Sequence, residues 1–281
     1  MSTKFEESMV SISAELHGAW VQPGGAWDGR AVLFLHGFAD DMDSVGKLTK
    51  RLAWALAEQG IASLRINFRG EGDYERTDID STFDTRTADT EQAYAFIARQ
   101  PGVAAGRVGA VGWSLGATTA IVVGAAHPEW FRTMVVWASP TGDQWAAMTA
   151  SETAQRALRE GQATQEWPHW KTITTKRAFY ESFRGVDVDA SLARYPGAFL
   201  SLRGSLDHFT ANESDFLNRP SGLPRESVIL GGASHIFNVF EPETGSSGAR
   251  VLMPASSGER PGPATPSPSE QRRCAPDRWR R

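Results

Sequence analysis

Gly112-Trp113-Ser114-Leu115-Gly116 stands between an apolar run, Val108–Val111, and a run of small residues, Ala117–Ala126. The order reads as strand, tight turn, helix, with a serine at the apex. A serine so placed adopts a strained backbone conformation that pushes its hydroxyl away from the protein. Gly112 and Gly116 flank it because a strand end and a helix start pass too close there for side chains. The helix N-terminus turns free N–H groups and partial positive charge toward the same point. The five-residue pattern also occurs by chance, and the strand and helix on its two sides give it weight.

Working outward, strands and helices alternate. Ala31–Leu35 is a continuous apolar run ending at His36-Gly37, and Ile61–Phe68 is another, ending at Arg69-Gly70-Glu71-Gly72. Thr133–Ala138, Ala198–Leu202 and Ser227–Leu230 complete the series, and residues 8–21 read as two short edge strands. Val45–Gln59, closed by Gly60, and Asp89–Arg99 carry helical spacing. Continuous apolar strands separated by helices predict an α/β fold with a mostly parallel sheet covered on both faces. Ligands of such sheets sit beyond the C-terminal strand ends, where His36, Ser114, Asp207 and His235 all fall.

Two segments break this rhythm. Residues 141–195 form an insertion that reads as helices carrying Trp145, Trp167, Trp170, Phe179 and Tyr180. A long excursion between strands covers a site in many folds. Residues 245–281 are rich in Ser, Pro, Gly and Arg and read as a disordered basic tail. The expected division is a core of residues 1–140 and 196–244, a helical lid of 141–195, and the tail.

The 281 residues carry a net charge of −4, which recommends neither nucleic acid nor an anionic membrane as partner. The single cysteine, Cys274, excludes an internal disulfide and fits a reducing, cytoplasmic setting. No secretory signal or membrane-spanning run is visible. Gly70-Glu71-Gly72 lacks the third glycine of a dinucleotide fingerprint, and there is no phosphate-binding lysine loop or His-Glu-x-x-His zinc motif.

A serine needs a base to take its proton, and the base needs an orienting carboxylate. Of six histidines, His235 has the location for a base, in a glycine-rich loop after the last strand. Asp207, after the strand 198–202, supplies the carboxylate; a turn aspartate or helix cap reads the same way. Leu115 offers one N–H for an oxyanion and Phe38, after His36-Gly37, the other; a plain strand-ending turn is the competing reading of His-Gly. The chain order Ser114, Asp207, His235 is that of one triad class.

These pieces resemble the α/β-hydrolases of the serine carboxylesterase type. The matching motifs are Leu35-His36-Gly37-Phe38, Asn67–Gly72, the Gly112–Gly116 turn, Gly204-Ser205-Leu206-Asp207 and Gly232–Phe237. Within that superfamily the chain is most similar to the cinnamoyl and feruloyl esterases. The resemblance implies a serine hydrolase cleaving esters of small or aromatic acyl groups through an acyl-enzyme, without cofactor or metal. Ser114 would be the nucleophile, with the insertion's aromatics binding substrate, a small-molecule ester. A thioesterase, an acyltransferase or a serine aminopeptidase would use the same triad, and an inactive relative could act as a binding module. The resemblance also implies a closing helix after His235. Phe237–Glu243 begins that way before the composition changes.

Overall fold

The computed structural model describes residues 4–240 except 74, 168–169 and 209–212. The expected tail, 245–281, and the site of a closing helix beyond residue 240 lie outside the described residues.

The chain enters through two antiparallel strands, β1 (Phe5–Ser11) and β2 (His17–Pro23). Then come β3 (Ala31–Leu35), a 3₁₀ turn at Val45–Lys47, α1 (Leu48–Glu58) and β4 (Ala62–Asn67). A two-residue strand, β5 (Asp78–Ile79), precedes α2 (Phe83–Ala98). The serine turn joins β6 (Val108–Trp113) to α3 (Leu115–Ala126), and β7 (Thr133–Trp137) follows. The insertion holds α4 (Gln144–Met148), α5 (Glu152–Glu160), β8 (Gln162–Glu166), β9 (Thr172–Lys176), α6 (Arg177–Glu181) and α7 (Val188–Leu192). The chain then returns through β10 (Ala198–Gly204), α8 (Glu213–Leu217) and β11 (Arg225–Leu230).

The described residues form an eight-stranded sheet in the order β1-β2-β4-β3-β6-β7-β10-β11. From β4 to β11 every neighbouring pair is parallel. Alternate residues of the apolar strands feed two cores. Leu33, Leu35, Val108 and Ala110 pack with α2, α3 and α7 on one face. Phe34, Val111 and Trp113 pack with Leu48, Ala53 and Ala57 of α1 on the other. A run apolar on both faces is thus what a strand covered on both sides requires. No described helix is long and apolar enough to cross a membrane.

Three expectations need correction. Strand β2 is not an edge: it lies between β1 and β4, and five of its seven residues are buried. Helix α2 starts at Phe83 rather than Asp89. Its inward face carries Arg86, Asp89 and Thr90, all buried, so hydrophobic periodicity does not mark its first turns. The insertion is not purely helical. Strands β8 and β9 form an antiparallel hairpin, and β5 joins β9 to make a three-stranded sheet. The β-branched Thr172-Ile173-Thr174-Thr175 turns Ile173 and Thr175 inward, a period of two that outweighs any helical tendency.

Candidate active site

Ser114 has φ 53° and ψ −119°, the positive-φ strain expected of the turn, and its N–H donates to the Trp137 carbonyl at 2.8 Å. The two glycines are sterically required. A Cβ on Gly112 would lie 2.4 Å from the Gly116 carbonyl oxygen, and one on Gly116 would lie 2.0 Å from that of Leu35. Gly37 brings the loop after β3 against the serine: a Cβ there would meet the Trp113 ring at 3.0 Å and Ser114 Cβ at 3.5 Å.

His235 Nε2 lies 3.0 Å from Ser114 Oγ, and its Nδ1 lies 3.2 Å from each carboxylate oxygen of Asp207. The Asp207 side chain is fully buried, and about a quarter of His235 (27%) is exposed. Their two loops are joined by hydrogen bonds, Leu206 N–H to the Ala233 carbonyl and Gly232 N–H to Ser205 Oγ, both within 3 Å. Gly204 permits the approach, since a Cβ there would lie 2.1 Å from the Ala233 carbonyl oxygen. Three residues expected to act together are therefore brought together, although 93 positions of chain separate Ser114 from Asp207.

The backbone N–H groups of Phe38 and Leu115 have no hydrogen-bond partner among the described residues. Leu115 is the first residue of α3, where an α-helix leaves its N–H groups unsatisfied. Two orphan N–H donors beside the Ser114 turn are the kind of pair that an oxyanion hole is built from.

His208, which sequence reasoning passed over, stands beside this set. Its Nδ1 is 3.5 Å from Asp207 Oδ1 and its ring centroid 5.2 Å from that of His235. Burial, then the neighbouring His235, lower its pKa, while Asp207 pulls the other way. Among the described residues Asp207, His208 and His235 form the one group whose ligand atoms, within 4.8 Å of one another, have metal-binding spacing. Two of the three are already engaged with each other in the chain leading to Ser114.

His36 is a brace. Its Nε2 accepts from the Phe68 N–H at 3.1 Å, so the proton sits on Nδ1 and is donated to the Gly37 carbonyl at 2.8 Å. Burial, with the Arg86 charge, pushes its pKa down to about 4, so the ring is neutral. Asp40, two residues past Phe38, is buried too, and burial pushes its carboxyl up to about 7.

The aromatics of the insertion separate into groups. Phe179 and Tyr180 are buried in a cluster with Phe83, Phe183, Ala39 and Leu115, and the Phe179 ring lies 5.1 Å from that of Phe38. The Tyr180 hydroxyl hydrogen-bonds Thr175 Oγ1 at 2.7 Å. Trp167 and Trp170 flank the β8–β9 turn, 41% and 36% exposed, edge to face at 6.0 Å. Trp145 lies under the Arg184 guanidinium and lines a cavity of about 340 Å³ with Asp143, Val186 and Asp187. Ser114 does not line that cavity. The insertion thus packs onto Phe38 through Phe179, while its tryptophans lie elsewhere.

A mostly parallel sheet covered on both faces, with a serine at a strand-to-helix turn and a histidine and aspartate from later strand ends, defines an α/β-hydrolase. A family model described as serine aminopeptidase, S33, matches residues 29–193, and the chain belongs to that family of hydrolases. The matched stretch includes Ser114 and ends before Asp207 and His235. No curated protein matches the chain. Among solved structures, Est1E from Butyrivibrio proteoclasticus is 14% identical, with 83% of this chain and 93% of that one covered and a TM-score of 0.63. A hypothetical protein from Pseudomonas aeruginosa is 17% identical over 85% of this chain and 89% of its own, with a TM-score of 0.64. The esterase domain of a Rhodothermus marinus protein is 18% identical over 84% and 91%, with a TM-score of 0.59. These likenesses are of fold.

Proposed function

We propose that the protein is a serine esterase that cleaves carboxylic esters of small or aromatic acyl groups through an acyl-enzyme. The observation that carries the reading is the continuous chain Ser114 Oγ, His235 Nε2, His235 Nδ1, Asp207 carboxylate, with links of 3.0 and 3.2 Å. Ser114 Oγ attacks the ester carbonyl carbon as His235 Nε2 takes its proton. Asp207 holds the proton on Nδ1, so that Nε2 is the free base, and steadies the imidazolium that forms. The N–H groups of Phe38 and Leu115 receive the carbonyl oxygen as it becomes an oxyanion. His235 then protonates the departing alcohol. Water attacks the acyl-Ser114 ester with His235 again as base, and the acid leaves.

Residues 141–195 act in this reading as the lid. Phe179 backs the acyl side of the site through Phe38, and Trp167, Trp170, Trp145 and Tyr180 bear on substrate choice from further out. Est1E has been solved with ferulic acid bound, an aromatic acid, which favours the aromatic arm of the proposal. The lone Cys274 favours a cytoplasmic location.

The family's description favours a second reading, an aminopeptidase using the same residues. Turnover of p-nitrophenyl and aryl esters of graded acyl length, measured beside aminoacyl p-nitroanilides, separates them. The esterase reading expects ester turnover with a burst of p-nitrophenol equal to the enzyme concentration. Anilide cleavage exceeding ester cleavage would reverse the assignment.

A further inference from the structure

The loop that carries Phe38 has no regular secondary structure, yet its backbone is held from several sides. Arg86 Nη2 donates to the His36 carbonyl at 2.6 Å. His36 itself holds the Gly37 carbonyl. Ala39 donates its N–H to Glu71 Oε2 at 2.8 Å, and its carbonyl accepts from Lys171 Nζ at 2.7 Å. Between these fixed points the Phe38 N–H has no partner among the described residues.

The groups doing the holding come from three separate elements. Glu71 follows β4, Arg86 lies on α2, and Lys171 lies in the β8–β9 turn of the insertion. Glu71 and Arg86 are ion-paired with both side chains fully buried. Ser81 Oγ donates to Glu71 Oε1 at 2.7 Å, and the guanidinium lies 3.8 Å over the Phe68 ring. Burial alone would raise the Glu71 pKa. The Arg86 charge, with His36 and the bonds from Ser81 and Ala39, outweighs it and keeps the carboxyl below its ordinary value. A buried pair of this kind gives little net stability, because desolvation offsets the attraction, and apolar residues of the same volume commonly do as well. Its placement accounts for it better: Arg86 grips His36, two residues before Phe38, and Glu71 grips Ala39, the residue after it.

We propose that Glu71, Arg86 and Lys171 are positioning residues of the oxyanion hole, fixing the backbone on both sides of Phe38 so that its N–H stays aimed at the developing oxyanion. The inference rests on the reading of Phe38 as an oxyanion donor in a Ser114-dependent esterase. A donor preorganised before the reaction stabilises the transition state without reorganisation, and one left free to swing loses that advantage. Lys171 ties the next peptide, Ala39–Asp40, to the insertion, so the lid and the oxyanion hole share a fastening.

The test compares kcat with KM for a p-nitrophenyl ester. The double variant Glu71→Met/Arg86→Met removes both charges together and leaves neither buried alone. Its kcat should fall about 100-fold with KM within about threefold, the mark of an interaction made in the transition state. Glu71→Gln/Arg86→Met restores an acceptor for the Ala39 N–H and should recover about tenfold of that loss. An unchanged kcat, a loss confined to KM, or no recovery with glutamine overturns the proposal while the esterase reading stands. If circular dichroism shows the methionine pair unfolded, Lys171→Met decides: a kcat reduced roughly fivefold at constant KM supports the clamp, and an unchanged kcat overturns it. Wild-type protein lacking any turnover that Ser114→Ala abolishes overturns the esterase reading itself, and the clamp with it.

Discussion

At Gly116 the α-carbon sits so close to β3 that a methyl group would lie 2.0 Å from the Leu35 carbonyl oxygen and 2.5 Å from that of His36. Gly231, in the loop before His235, has nothing within 4 Å of the same position. Gly116→Ala should therefore cost about 3 kcal/mol or more of unfolding free energy, and Gly231→Ala no more than about 0.5 kcal/mol, by urea denaturation. His36 gives a prediction in pH. Its folded pKa is about 4 against an ordinary 6.5. Between those values the unfolded chain holds a proton that the folded chain does not. Stability from this group is thus complete above pH 6.5 and declines as pH falls toward 4, by roughly 3 kcal/mol in all. His36→Gln should flatten the fall of unfolding free energy over that window; the same slope in variant and wild type would mean that the ring is not a buried neutral brace.

Elements differ in how plainly the sequence announces them. β3, β6 and β7 were legible because strands covered on both faces are apolar throughout. The serine turn was legible because its glycines are dictated by backbone contact. The start of α2 is hidden in the sequence, since after Phe83 the buried face of its first turns carries Arg86, Asp89 and Thr90. Its cap is Thr82, whose hydroxyl accepts the Thr85 N–H while Thr85 Oγ1 accepts the Thr82 N–H, a capping box with threonine in the place usual for glutamate. Thr82→Ala should lower stability by about 1 kcal/mol, read from thermal or urea melts. The hairpin of β8 and β9 was hidden for another reason. The segment reads as helices carrying aromatics, but Ile173 and Thr175 point to one side, and β5, only two residues long, supplies a neighbour that no local pattern reveals.

Across the whole molecule, the proposed triad is legible in the sequence because its members follow three strand ends in a diagnostic order. The holding contacts around Phe38 are not, because Glu71, Arg86 and Lys171 meet only after β4, α2 and the insertion have packed. In the sequence the insertion's aromatics form one set, and folding divides them between packed interior and surface. Phe179→Ala should accordingly cost about 3 kcal/mol and reduce turnover, while Trp167→Ala and Trp170→Ala should leave stability nearly unchanged. A change of acyl-chain preference in either tryptophan variant places it in substrate choice; an unchanged profile in both removes them from it. The exposed Val228 and Ile229 of β11 mark the edge of the sheet from which the chain runs on to His235. The central claim is that Ser114, activated by His235 and Asp207, is the nucleophile. Labelling with a fluorophosphonate, followed by peptide mass spectrometry, tests it most directly. One adduct on Ser114 is predicted, absent in Ser114→Ala and formed about 1,000-fold more slowly in His235→Ala. Labelling that persists in Ser114→Ala, or an unlabelled wild-type protein, would contradict it.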